Sequence, residues 1–140
     1  MRAPVTGYSG TPLEHKLGLE PGMRFVALDA PANLDRLLAD APELKRLARI
    51  ADFDFGLAFA RSERAAAAAF ARLAPRMVDG GMLWIAWPKK TSGVATDLTE
   101  DIVRRIGLAS KLVDVKVCAI DATWSGLKFV RRLADRARAK

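Results

Sequence analysis

A 21-residue stretch from Gly80 to Glu100 reads GGMLWIAWPKKTSGVATDLTE, and its composition changes abruptly at Pro88. Before the proline, Met82–Trp87 is a run of six apolar residues without polar alternation. A run of this length between turn-forming residues is typical of a strand buried on both faces, as in the middle of a parallel sheet. The stretch therefore predicts a central strand, with Gly80 and Gly81 separating it from a preceding helix.

The residues that follow Pro88 are cationic and hydroxyl-bearing, and they lead toward another helix. Asp97 and Glu100 have the spacing of a capping box, which predicts that this helix begins near Asp97. The loop then leaves the carboxyl end of a central strand, where open α/β sheets bind ligands and helix N-termini favour anions. We expect a ligand-facing edge formed by Trp87, Lys89, Lys90, Thr91 and Ser92.

A solvated surface loop is the alternative interpretation of these lysines, because the GxxxxGK[ST] spacing of a P-loop is absent. Trp124 is a further candidate, since exposed aromatic residues tend to mark binding surfaces. It also fits a residue that plugs the end of the sheet. Tyr8, Ser125 and Gly126 are expected near the same edge.

Composition limits the other functional classes. The chain has 140 residues, the length of one domain, and lacks both a transmembrane run and the apolar core of a signal peptide. Its single cysteine, Cys118, cannot form an internal disulfide, which points to the cytoplasm and to a buried structural thiol. With His15 as the only histidine, the sequence predicts neither a metal site nor an acid–base pair.

Most of the net charge of +7 lies at the end of the chain. Six cationic residues and one aspartate between Lys128 and Lys140 carry a net +5. A basic tail of this kind can contact nucleic acid, acidic proteins or membranes. A solvated helix or frayed end over Leu133–Lys140 is the alternative; no membrane association is predicted.

Helices and strands alternate along the rest of the chain, after a loose segment over residues 1–10. The predicted strands are Arg24–Leu28, Leu44–Ile50, Asp54–Ala60, Val113–Ile120 and, after a loop over Asp121–Gly126, Leu127–Val130. For Leu44–Ile50 a helix turn is the alternative to a short edge strand. The predicted helices are a short one capped by Thr11 and ended by Gly18, Leu34–Ala39 after Asn33, Glu63–Met77 after Ser62, and Leu98–Leu108. This order predicts a three-layer, Rossmann-like α/β fold with a mostly parallel sheet and a C-terminal antiparallel hairpin.

Three strings of the sequence resemble a small bacterial family known only as a domain of unknown function. They are YSGTPLEHKLGLEPG near the start, WPKKTSGVATDLTED in the middle and VDVKVCAIDATWSGLKFVRR near the end. The resemblance spans nearly the whole chain, and it implies no activity.

The region from Met23 to Val130 is also similar to a trimmed class I S-adenosylmethionine-dependent methyltransferase. FVALD ends in Asp29, where that superfamily has an acidic residue before a glycine-rich turn; FDFGLAF resembles its fourth strand, and LAPRMVDGGMLWI its next helix, turn and strand. The resemblance implies a Rossmann-like fold with Asp29 facing the ligand.

The same comparison argues against the methyltransferase cofactor. Side chains crowd the approach where the superfamily needs glycines, and one of them, Pro31, also removes an N–H donor. The replacing residues are Ala30, Pro31, Ala32 and Asn33. Glu43 and Asp52 are the remaining candidates for the acid that binds the ribose of S-adenosylmethionine.

Three functions follow as competing hypotheses. The first is a module with little or no catalysis that binds an anionic small molecule or a protein partner at the carboxyl edge of the sheet. The second is a divergent methyltransferase, and the third is nucleic-acid association through the basic tail. The sequence specifies neither a cofactor nor an oligomeric state.

Overall fold

The computed structural model describes residues 12–136, so the predicted loose start, the Thr11 cap, Tyr8 and the last four residues lie outside it. Short 3-10 turns lie at Ala74–Arg76, Lys90–Ser92 and Leu133–Asp135. The order of helices and strands confirms the sequence prediction: α1 (Leu13–Leu17), β1 (Arg24–Leu28), α2 (Leu34–Leu37), β2 (Lys45–Arg46), β3 (Phe53–Phe59), α3 (Glu63–Leu73), β4 (Met77–Pro88), α4 (Glu100–Ala109), β5 (Leu112–Ala119) and β6 (Trp124–Arg131).

The strands form one six-stranded sheet in the order β2-β1-β3-β4-β6-β5. The first four strands in the chain are parallel, and β6 is antiparallel to both of its neighbours, β4 and β5. The apolar strand β4 therefore lies in the middle of the sheet, as its unbroken hydrophobic run predicts. The fold is the mostly parallel, Rossmann-like α/β architecture with a C-terminal antiparallel pair.

Helices cover both faces of the sheet. Alternate residues of β4 point to opposite sides, so this strand contributes side chains to a core on each face. Leu83 and Trp87 pack with Phe70 of α3 in one core, which also takes in α4. Trp84 packs with Leu17 of α1 in the other core, and its Nε1 donates a hydrogen bond of 2.9 Å to the Leu17 carbonyl. Two cores separated by one sheet make the predicted three layers.

The boundary between α3 and β4 differs from the prediction. Ser62 caps α3 as expected, its Oγ accepting from the Ala65 N–H at 3.1 Å. The helix ends at Leu73 instead of Met77, because Pro75 converts the next three residues into a 3-10 turn. Met77 already pairs with β3, so the two glycines at 80 and 81 lie inside a bulged strand and do not precede it.

The N-terminus of α4 is also set differently. The helix begins at Glu100, and Thr99 caps it by accepting from the Ile102 N–H at 3.2 Å. The predicted cap, Asp97, accepts instead from the backbone N–H of Glu63 at 2.8 Å, so it serves α3.

Other predicted boundaries shift at the ends of elements. The second strand spans only two residues instead of Leu44–Ile50, and α2 ends at Leu37 without a side-chain cap from Asn33. Leu108, the last residue of the predicted helix, lies inside α4 and is 40% exposed. The last strand begins at Trp124, so the predicted loop over Asp121–Gly126 is shorter than expected.

Candidate ligand-binding site

The carboxyl edge of the sheet gathers residues from four segments of the chain. Asp29 follows β1, Arg61 lies just beyond β3 and Lys89 follows β4. Strand β6 starts at the same edge, because Trp124 pairs with Pro88. Two clefts open here, and the predicted site residues divide between them.

The first, the β4 cleft, has a volume of about 360 Å³ and lies on the α4 side of the sheet. It unites residues from the end of β4, the N-terminus of α4 and the start of β6. Its walls are Trp87, Pro88, Lys89, Lys90, Thr91, Leu98, Thr99, Glu100 and Ser125. Four predicted residues, the indole, both lysines and the threonine, therefore line one cavity.

Backbone and hydroxyl hydrogen bonds hold the loop that carries the lysines. The Lys89 N–H donates to the Thr123 carbonyl at 2.7 Å, which ties the loop to the start of β6. Ser92 Oγ donates to the Lys89 carbonyl at 2.6 Å and accepts from the Val94 N–H at 3.1 Å. Ser92, the fifth residue predicted in this loop, thus closes the turn and does not line the cleft.

Further contacts fix the far wall of the β4 cleft. Thr96 Oγ1 donates to the Arg61 carbonyl at 2.7 Å, which attaches the loop to the end of β3. Glu100 is paired with Arg104, whose guanidinium also contacts Asp114 at 2.9 Å. Because Arg104 is shared by Glu100, Asp101 and Asp114, it offsets the charge of Glu100 only in part. Both lysines precede α4 in the chain.

The second cavity, the switch-point cleft, lies where the order of the strands reverses between β1 and β3. Its volume is about 260 Å³, and its walls include Asp29, Phe59, Arg61 and Trp124. Asp29 is exposed and adopts a left-handed backbone with φ 56°, which Asp tolerates better than most residues.

Trp124 plugs the end of the sheet while forming a wall of the switch-point cleft. Its side chain is 5% exposed, and its ring meets Phe59 edge-on with centroids 5.0 Å apart. The guanidinium carbon of Arg61 lies 5.9 Å above the indole. Sequence reasoning missed Arg61, although its position just after an apolar strand was the available signal.

The backbone beside the switch-point cleft does not fit S-adenosylmethionine in the way the methyltransferase resemblance implies. No glycine follows β1, and the turn that replaces the glycine-rich segment closes on itself, with Leu34 N–H donating to the Pro31 carbonyl at 3.1 Å. Ala30, Pro31 and Ala32 stand at the positions where the superfamily has glycines, which let the backbone approach the ligand closely.

The candidate ribose acids lie at the wrong edge. Glu43 precedes β2 and Asp52 precedes β3, so both lie at the amino edge of the parallel strands. There the Glu43 carbonyl accepts from Gly22 N–H at 2.8 Å, and Asp52 pairs with Arg76 at 3.1 Å. The residues that follow β2 at the carboxyl edge are Leu47, Ala48 and Arg49, with no acid among them.

Cys118 and His15, the other residues considered from the sequence, line neither of the two clefts. Cys118 is half-buried, and burial raises the pKa of its thiol. His15 is exposed on α1 and borders a separate cleft with Glu14 and Asp40. Between residues 12 and 136, no three His, Cys, Asp or Glu side chains are grouped to hold a metal ion. No helix in the same range is both long and apolar enough to cross a membrane.

Part of the basic tail stabilises the fold. The Arg131 guanidinium donates to the carbonyls of Ala74 and Met77, across the turn between α3 and β4. Arg132 donates to the Leu108 carbonyl at 3.2 Å, and Arg136 to the Arg131 carbonyl at 3.3 Å. These three arginines are thus held against the backbone.

Comparison with known proteins supports the architecture. No family model matches the chain, and no curated protein sequence matches it significantly, so the resemblance to the small bacterial family stays a prediction. Magnesium protoporphyrin IX methyltransferase (ChlM) from Synechocystis PCC 6803 with bound SAH aligns with TM-score 0.54 and 13% identity over 80% of this chain and 75% of that chain. The fibrillarin pre-rRNA processing protein of Methanococcus jannaschii gives 0.54 and 12% over 85% and 73%.

LepI in complex with SAM aligns with TM-score 0.57 and 11% identity over 87% of this chain but 47% of LepI, so the chain spans about half the length of that protein. Identities this low show the fold alone. The fold is that of the class I S-adenosylmethionine-dependent methyltransferases, in a trimmed form.

Proposed function

We propose that this protein binds an anionic small molecule in the β4 cleft and has little or no catalytic activity. The observation that carries the proposal is the convergence of Trp87, Lys89, Lys90 and Thr91 on one cavity with Thr99 and Ser125. These residues come from three separate segments, and the cavity lies at the edge where open α/β sheets bind ligands.

The lining indicates what kind of ligand would fit. Two ammonium groups act as point charges for a phosphate or carboxylate, and the hydroxyls of Thr91, Thr99 and Ser125 can donate hydrogen bonds to it. The Trp87 indole, 6% exposed, supplies an apolar wall for the remainder of the ligand. Glu100 would repel an anion, so we place the charged group toward the loop that carries the lysines.

The lining also favours binding over catalysis. It contains no histidine and no cysteine, and its one carboxylate, Glu100, is paired with Arg104. A general base or nucleophile needs a group poised near neutral pKa or an adjacent activating base.

Thermal unfolding with inorganic phosphate, nucleotides and short acyl anions tests the proposal. A ligand present at 100 times its Kd should stabilise the fold by about 2.7 kcal/mol. The double variant Lys89→Ala/Lys90→Ala should lose most of this stabilisation, while Arg64→Ala, which removes one exposed cation from α3, should keep it. The proposal fails if no anion stabilises the protein or if the double variant binds as well as wild type.

A divergent methyltransferase remains the second candidate, and the shared fold is the observation in its favour. The misplaced acids and the missing glycines argue against it. Titration calorimetry with S-adenosylmethionine should therefore give no binding heat up to millimolar ligand. Saturable binding that Trp124→Ala abolishes and Lys89→Ala/Lys90→Ala preserves would favour this candidate over the anion module.

Nucleic-acid association through the tail is tested by a shorter truncation than removal of residues 131–140. Deleting from Arg131 onward would also delete hydrogen bonds to Ala74 and Met77, and would confuse unfolding with lost binding. Truncation after Arg136 removes Arg138 and Lys140 and leaves those bonds in place. Oligonucleotide affinity that falls steeply with salt and drops on this truncation would support the tail as the binding element.

A further inference from the structure

The β5–β6 pair carries two lysines that directly oppose each other. Lys116 pairs with Lys128 across the antiparallel ladder, and like charges in this arrangement are destabilising. Within residues 12–136, neither lysine forms an ion pair. Burial, and then the neighbouring Lys116, lower the pKa of Lys128. The two charges therefore lack compensation from the described chain.

Both lysines lie on the α1 side of the sheet. Lys128 Nζ lies 3.9 Å from the point where Gly18 would carry a Cβ, at the C-terminal end of α1. Cys118, two residues after Lys116, shares its face, and its thiol feels the positive charges of Lys16 and Lys116. The cationic surface thus extends from α1 across β6 to the edge strand.

Apolar side chains lie beside these charges. Val113 pairs with Val130 on the same face as the lysines, and both valines are half-buried. Among the described helices, only α4 packs extensively on β5, and it does so from the opposite side, through the core that contains Leu112 and Val103. We name this surface the β5–β6 face: Lys16, Val113, Lys116, Cys118, Lys128 and Val130.

We propose that the β5–β6 face docks an acidic amphipathic helix of a partner protein. Such a helix would place an apolar stripe against the valines and carboxylates beside the lysines, where a third helix would complete the layer that α1 begins. Residues 1–11 and 137–140 contain Arg2, Arg138 and Lys140 but no Asp or Glu, so neither segment supplies the carboxylates that such an occupant needs.

The composition of the face favours a helix over nucleic acid. Single-stranded nucleic acid binds through cations combined with aromatic side chains on which bases stack. The six residues of the β5–β6 face include three lysines and two valines but no aromatic side chain. Half-buried valines fit an aliphatic stripe better than they fit a solvated phosphate backbone.

The test uses a synthetic amphipathic peptide of about 18 residues with leucines on one face and glutamates on the other, long enough to form a helix on binding. Amide chemical shifts of the full chain should change at residues 112–130. Lys116→Glu/Lys128→Glu should weaken binding by roughly tenfold at low salt, because two attractive contacts become repulsive. Arg64→Glu makes the same charge change on α3 and should leave the affinity unchanged.

Further measurements distinguish an acidic helix from other occupants of the β5–β6 face. Lys116→Gln/Lys128→Gln serves if the charge-reversed variant does not fold, and it should bind with intermediate affinity. A peptide with lysines in place of the glutamates should not bind. The proposal is overturned if the acidic peptide binds the charge-reversed and wild-type proteins equally, if an oligonucleotide binds this face in preference to the peptide, or if sedimentation shows self-association that these variants abolish.

Discussion

Gly107 provides a sharp test of how α4 packs on the sheet. A Cβ built on this residue would lie 2.1, 2.6 and 2.7 Å from three ring atoms of Phe129, far inside van der Waals contact. Phe129 is fully buried and meets Phe70 edge-on with centroids 4.9 Å apart, so its ring has no free space into which to move. The substitution Gly107→Ala must therefore push α4 off β6 or distort the core.

Two opposing terms set the magnitude. Replacing glycine by alanine inside a helix normally stabilises by about 0.8–1 kcal/mol. Overpacking a tight core costs about 1–3 kcal/mol, and a clash of more than an ångström against an immobile ring belongs at or above the upper end of that range. We expect Gly107→Ala to lose a net ~2 kcal/mol, which for a chain of this size lowers Tm by roughly 6–8 °C.

Urea and thermal unfolding, followed by far-ultraviolet circular dichroism, measure the change. The control is a double-mutant cycle with Phe129→Leu, whose smaller side chain leaves room for the new methyl group. If the clash is the cause, Gly107→Ala should cost much less in the Phe129→Leu background than in wild type. A Tm that rises in the single variant would refute the close approach, because only helix propensity would then remain.

Three other predictions follow from individual contacts. Arg24 donates to Asp54 and holds the pKa of that carboxyl below its usual value. The pair therefore adds stability that is present above about pH 3.9 and is lost as the pH falls through the folded pKa. Asp54→Asn should destabilise the protein at pH 7 in urea titrations, and a pH-independent difference from wild type would contradict the ion-pair account. Trp84→Phe should cost about 1–3 kcal/mol in the same assay, because the buried Leu17 carbonyl loses its donor, and unchanged stability would mean that the bond contributes nothing. Cys118 should react with a disulfide reagent more slowly in the folded chain than in the denatured chain. Because burial raises the pKa of its thiol, the reaction rate should still be rising at about pH 9. Rapid reaction at neutral pH would disprove the burial.

The sequence predicted the fold where one local signal dominated. Six consecutive apolar residues between turn-forming residues favour a strand buried on both faces, and β4 lies in the interior of the sheet. The start of that strand was missed because Gly80 and Gly81 indicated the end of the preceding helix and a turn. In the sheet, Met77 pairs with Phe53 and Gly81 approaches the Asp54 carbonyl, so a bulge absorbs the extra residues. Pairing with a strand more than twenty residues away is not visible in a local pattern.

The cap of α4 shows a different kind of failure. Asp97 satisfies the capping-box spacing with Glu100, whereas Thr99 has no acid three residues later, so the local rule favours Asp97. The choice depends on where α3 begins, because the Glu63 N–H takes the Asp97 carboxylate. Once that carboxylate is engaged, the threonine is the residue left to cap α4. Two helix starts therefore compete for one side chain, and only the tertiary structure settles the competition.

The division of the candidate site into two clefts has one physical origin, the position of β6. As a loop residue, Trp124 was free to join Trp87 and the lysines at a single rim. As the first residue of a strand, it must point away from Ser125, because successive side chains of a strand face opposite sides of the sheet. Ser125 accordingly lines the β4 cleft with Lys89, and Trp124 lines the switch-point cleft with Arg61. A ligand in either cleft therefore contacts only one of these two neighbours, so substitutions at 124 and 125 distinguish anion binding beside β4 from binding at the switch point.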